Sequence, residues 1–161
     1  MDEITAWLVG RLPDSWFVGP PEVTTDREEI VVVGTLAAPE GDGGAATGAG
    51  RISRHREDTR EQRMRIAEEG QARFGRAFAW GAACGGTRQV FTSLSVPVMT
   101  RLRQPERQVL DTLVAAGVAR SRSDALGWSV RLVGQHQDDW ISALRQALVA
   151  VDKVRSEGPT A

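Results

Sequence analysis

Cysteine is almost missing from this 161-residue chain: Cys84 stands alone, so no internal disulfide can form, and a reducing cytoplasm suits the composition. Long hydrophobic runs are missing too. No stretch approaches the roughly 20 apolar residues of a membrane-spanning helix, and the N-terminus has neither a basic start nor a signal-like apolar run. A soluble, cytoplasmic protein with no membrane partner is the expectation. Histidine is scarce: His55 lies in a charged segment and His136 at a polar junction, neither near a second ligand at metal spacing. Ser15 and Ser93 lack a nucleophile-elbow context, no base can be placed beside Cys84, and no pair of carboxylates stands out. Cys84, ahead of Gly85-Gly86, reads as a small turn residue. The sequence therefore predicts no enzyme, no metal and no cofactor. Lysine is nearly absent as well, Lys153 being the only one among 20 basic side chains. GC-rich bacterial coding sequence produces that bias, so arginine richness alone carries no function.

The net charge of −1 is unevenly spread. Residues 1–50 hold two basic and nine acidic side chains, whereas 51–96 hold nine and five and 97–134 hold six and three. Residues 135–161 hold three and four. The basic footprint lies in the middle of the chain, and local charge governs attraction to phosphate more than the overall sum does.

The most strongly patterned stretch runs from Val96 to Val133. In 96–102 the even positions are mostly apolar, the period of a half-buried strand that would turn Val96, Val98 and Leu102 inward and Met99 and Arg101 outward. Pro105 and Glu106 suit a first helical turn, so a helix is expected from about Gln104. Leu110, Leu113, Val114, Gly117 and Val118 form its apolar stripe, and Gly117 is placed to end it. Ser121-Arg122-Ser123-Asp124 is a capping-box pattern that opens a second helix, whose free N–H groups can hold a phosphate.

In this order and spacing the stretch resembles the ribbon-helix-helix DNA-binding family of MetJ, Arc and CopG type, over residues 96–134 only. The resemblance implies a homodimer whose paired strands form an antiparallel ribbon in the major groove of double-stranded DNA, with the second helix clamping a phosphate. It places Met99 and Arg101 at base edges, and Arg103, Arg120, Ser121, Arg122 and Ser123 at the phosphate backbone. Arg101 can fork onto a guanine, and Met99 can meet a thymine methyl. Pro97 and Met99 depart from the polar outer strand face usual in the family.

The remaining chain reads as α+β. A short helix around Ile4, Trp7 and Leu8 is followed by a hairpin, Glu22 to Thr25 and Glu29 to Leu36. Trp7 and Trp16 read as core. Residues 39–50 read as a Gly-rich linker without the pattern of a phosphate-binding loop. A charged helix is expected from Arg51 to Arg76, and strands over 78–83 and 87–94, which gives a β-β-α-β-β domain over 1–95. The charged helix is either a solvated face or a second DNA contact through Arg54, Arg56, Arg60 and Arg63. After Val133, residues 135–161 should hold a helix capped by Asp138 or Asp139, with Trp140, Ile141, Leu144, Leu148 and Val151 on one face to pack on its own chain or bind a partner protein, and a polar tail from 156. The functional expectation is a homodimeric, nucleoid-associated transcriptional regulator. The alternatives are an antitoxin-like autorepressor and a protein-interaction module that uses the ribbon-helix-helix only to dimerise.

Overall fold

The computed structural model describes residues 2–38 and 44–158, and the protein is α+β. The chain divides into two compact units, 1–97 and 98–161, close to the boundary expected at residues 95 and 96.

The N-terminal unit starts with α1 (Glu3–Arg11), where the Asp2 carboxylate caps the helix by accepting from the Thr5 N–H at 2.7 Å. Strands β1 (Glu22–Thr25) and β2 (Glu29–Thr35) form the antiparallel hairpin, and the Asp26 carboxylate accepts from the Glu28 and Glu29 amides in its turn. Helices α2 (Gly44–Asp58) and α3 (Arg60–Phe74) then cross over to β3 (Ala77–Cys84), which lies parallel to β2, and β4 (Thr87–Val90) returns antiparallel. A parallel neighbour needs a connection of at least about a dozen residues. The two helices supply it, and the sheet order is β1-β2-β3-β4.

The core follows from strand alternation. Ile30, Val32 and Trp80 meet Leu8, Trp16 and Ile66 in one cluster, while Ala82 and Cys84 meet Leu36 and Ile52 in another. Trp16 is buried as expected and Trp7 is half-buried, edge-on to Phe74 and Phe78. Two ion pairs, Arg11 with Glu69 and Arg73 with Glu3, tie α1 to α3.

Several expectations need correction. The stretch read as a Gly-rich linker is helical from Gly44 onward, since α2 packs on β3 so closely that a Cβ on Gly48 would collide with the Cys84 carbonyl oxygen. Packing overrides the poor helix propensity of glycine there. The part of the expected linker at 39–43 lies outside the described residues. The single helix expected over 51–76 is two, broken at Thr59, whose hydroxyl donates to the His55 carbonyl at 2.5 Å. Cys84 is not in a turn but at the buried end of β3; the two-residue turn is Gly85-Gly86, both at positive φ. β4 stops at Val90 rather than 94, and the Leu94 amide turns instead to the Glu29 carboxylate at 3.1 Å.

The C-terminal unit contains α4 (Gln104–Ala115), α5 (Arg122–His136) and α6 (Asp138–Glu157). Leu110, Ala119 and Ala125 form its small core, with Leu102, Leu113, Val114 and Leu126 packed around them. The tail expected from 156 is helical to Glu157, and α6 has Gln137 at its N-cap with no side-chain bond from Asp138 or Asp139.

Candidate nucleic-acid interface

Residues 96–102 are not a strand within this chain. They make no backbone–backbone hydrogen bond among the described residues; the Leu102 carbonyl accepts only from the Arg107 guanidinium at 2.8 Å. Val96 and Val98, expected to face inward, are exposed, Val98 at 83% and the outward Met99 at 98%. The reason is physical: no other described strand pairs with the segment to hold its valine side against a core. Arg101 and Arg103 are exposed and Leu102 is half-buried.

Helix α4 starts where Pro105 allows it and ends at Gly117, whose φ of +73° takes the chain out of the helix and leaves Val118 exposed rather than in the stripe. The turn that follows is built from side chains. The Ser121 hydroxyl caps α5 by accepting from the Asp124 amide at 3.1 Å, and the Asp124 carboxylate accepts from the Arg120 amide at 3.0 Å. The reach-back therefore lands one residue before the cap. That bond holds the Asp124 carboxyl below its ordinary value. The Arg122 and Ser123 amides, at the first two positions of the helix, have no acceptor among the described residues. Such a terminus accepts an anion.

Arg122 is not idle. It forks onto Asp111 of α4 at 2.6 and 2.7 Å, which lowers the Asp111 carboxyl and raises the Arg122 guanidinium. Arg120 is almost wholly exposed, with its Nε 3.7 Å from Asp124. A groove of about 340 Å³ runs between the extended segment and the helices, lined by Val98, Met99, Leu102, Leu110, Arg122 and Leu126. Met99, Arg122 and Ser123 thus meet at one groove, whereas Arg101, Arg103, Arg120 and Ser121 do not line it.

The α6 stripe is open: Trp140 is 58% exposed, and Leu144, Leu148 and Val151 are exposed, while Ile141 is half-buried. No described helix is long and apolar enough to cross a membrane, and no described group of histidine, cysteine and carboxylate residues could hold a metal ion.

In the N-terminal unit, Arg54, Arg56 and Arg60 are exposed, but Arg63, expected on the same wet face, is buried at 7% exposure. Its Nε donates to the Thr59 hydroxyl at 2.9 Å and one terminal nitrogen to the Arg56 carbonyl at 2.6 Å, so it bridges the break between α2 and α3. Burial, with Arg56 and Arg60 nearby, lowers its pKa. His55, in the same charged segment, is also buried, ringed by Trp16, Phe17 and Phe91, with its Nε2 unpaired among the described residues. A signal for both was present. Gly48, Ile52, His55, Thr59, Arg63, Ile66 and Gly70 recur at intervals of three and four and are all buried. Their polar and glycine members hid a core stripe behind the charges around it.

Residues 2–90 match the family model described as the Rv1265-like protein N-terminal domain, and residues 103–155 the Mb1296 C-terminal domain. Neither description names a ribbon-helix-helix module. Similar proteins include uncharacterised protein Mb1296 of Mycobacterium bovis and uncharacterised protein Rv1265 of Mycobacterium tuberculosis. Each is 58% identical over 155 residues, 95% of this chain and 69% of the relative. No solved structure matches the chain. With both units matched in order and the identity sustained across nearly its whole length, the chain belongs to the Rv1265-like family.

Proposed function

We propose that this protein is a homodimeric, sequence-dependent DNA-binding transcriptional regulator of the cytoplasm, in which residues 96–102 of two copies pair as a ribbon for the major groove. The observation that carries the reading is the extended segment itself. It makes no backbone–backbone hydrogen bond among the described residues, its Val96, Val98 and Met99 side chains are open to water, and it leads into two helices joined by a capped, anion-ready turn. Valines held in water are unfavourable, and an unpaired extended edge is a template for another strand. A second copy satisfies both.

In the dimer Arg101 forks onto a base edge, and the α5 N-terminus with Ser121, Arg122 and Ser123 holds a phosphate on each side. The test is fluorescence anisotropy with duplexes selected from random sequence, at several salt concentrations. Replacing Arg122 by Ala in both copies should lower the slope of log affinity on log salt by about 2, one for each lost phosphate contact. Arg101→Ala should weaken the preferred duplex more than a random one. Unchanged affinity and slope when Arg101→Ala and Arg122→Ala are combined would remove the reading.

The open α6 stripe favours a second role, a protein partner held by Trp140, Leu144, Leu148 and Val151, as in an antitoxin-like autorepressor or an interaction module. A partner that stays bound to the intact protein after nuclease treatment, and is lost in Trp140→Ala, supports that reading over DNA.

A further inference from the structure

The N-terminal unit carries a cleft that the DNA reading does not use. It measures about 460 Å³ and lies where α2 and α3 meet the chain after β4. Ser53, Arg56, Glu57 and Arg60 reach it at helical spacing along α2 and its junction, Arg63 and Met64 continue the same face on α3, and Phe91 and Thr92 close the far side.

Its charge is unbalanced. Arg56, Arg60 and Arg63 form no ion pair among the described residues, and Glu57 is the one carboxylate in the lining. Arg63 is the deepest of the three. It uses two of its five N–H donors on neutral oxygens of Thr59 and Arg56, which leaves three without an acceptor among the described residues. A buried cation without a counter-ion is costly, and guanidinium groups suit the geometry of phosphoryl oxygens. The Arg56 and Arg63 guanidinium carbons also lie 5.7 and 5.0 Å from the centroid of the Phe91 ring, a contact that steadies both cations at the cleft wall.

We propose that this cleft is a binding site for a small phosphate-bearing ligand, with Arg63 at its floor and Arg56 and Arg60 at its rim. The depth of Arg63 separates this from a DNA contact: a duplex lies on a surface, and the backbone of a rigid helix does not reach down a cleft to a side chain whose residue is 7% exposed. A compact, multiply charged phosphate does. The cleft volume exceeds that of one phosphate, so a diphosphate group fits better than a single phosphoryl. Glu57 stands as the opposing charge that any such ligand must accommodate.

Calorimetric titration of the full chain with inorganic phosphate and with pyrophosphate, in chloride buffer at constant ionic strength, tests this. The expected result is saturable one-site binding, tighter for pyrophosphate. Arg60→Ala and Arg56→Ala should each weaken it roughly tenfold, the loss of one charge-assisted contact. Glu57→Gln should tighten it. Arg54→Ala, on the same helix but outside the cleft, should leave it unchanged, and these exposed substitutions avoid the folding risk of altering Arg63. Displacement of the Arg63 Nε–H NMR resonance on titration should accompany binding. Absence of saturable binding overturns the proposal, and so does equal weakening by Arg54→Ala, which would mark diffuse attraction. Loss of duplex affinity in Arg56→Ala and Arg60→Ala with no pyrophosphate binding would assign the arginines to nucleic acid instead.

Discussion

Acid should weaken the N-terminal unit well above the pH at which carboxylates titrate, and His55 is the cause. This side chain is 6% exposed among three aromatic rings, and its pKa is lowered from 6.5 to about 4, first by burial and then by the charges of Arg63 and Arg51, with Asp58 opposing. The direction follows from proton counting. Above pH 6.5 His55 is neutral in both states and the unit has its full stability. Between 6.5 and 4 the unfolded chain takes up a proton that the folded chain refuses, so stability falls with pH; below 4 both states are protonated and this group adds no further loss. Integrated from pH 7.5 to 5, the loss is about 2 kcal/mol, at about 1.4 kcal/mol per pH unit once the unfolded histidine is charged. The carboxylates of this unit with lowered pKa, Asp2, Asp26 and Glu69, give up their contribution at lower pH and leave this window to His55. Urea unfolding at the two pH values, followed by the fluorescence of Trp7, Trp16 and Trp80, all in the N-terminal unit, in a Trp128→Phe, Trp140→Phe background, measures the difference. His55→Phe suits the aromatic surround and should flatten the dependence. A wild-type stability that is equal at both pH values, or a loss that persists in His55→Phe, refutes the reasoning.

Two glycines in α2 should answer opposite ways to the same substitution. Gly50 has open space where a Cβ would stand, so Gly50→Ala should raise stability by about 0.5–1 kcal/mol through helix propensity, whereas Gly48→Ala drives a methyl into the Cys84 carbonyl and should lower it by about 1–3 kcal/mol; thermal unfolding of both variants checks the signs. Ser121→Ala removes the hydroxyl that caps α5 and should cost the C-terminal unit about 1 kcal/mol. Urea unfolding followed by the Trp128 signal would read that loss, and Ser121→Asp should restore most of it.

How much of this was legible in the sequence depended on whether a pattern was local. The hairpin of β1 and β2, the Gly85-Gly86 turn, the start of α4 at Pro105, the end at Gly117 and the Ser121 cap each rest on residues within one turn of each other, and all were read in place. Features that depend on distant chain were not. The helical start at Gly44 needs β3 beneath Gly48, and the burial of His55 needs Trp16, Phe17 and Phe91 from two other segments. Arg63 looked like its neighbours because a solvated arginine and one that bridges two helix ends differ only in what surrounds them. In the candidate interface, the outward Met99 and Arg101 and the half-buried Leu102 follow the period of two. The exposure of Val96 and Val98 does not, because no described residue of this chain covers that face.

Amide hydrogen exchange across residues 96–102, measured over a wide range of protein concentration, tests the paired ribbon most directly. A paired ribbon should show alternating protection along the segment that grows with concentration and tracks dimer formation, and duplex DNA should increase it further. Exchange at the rate of an unstructured peptide at every concentration, or protection that is already complete in the monomer, contradicts it.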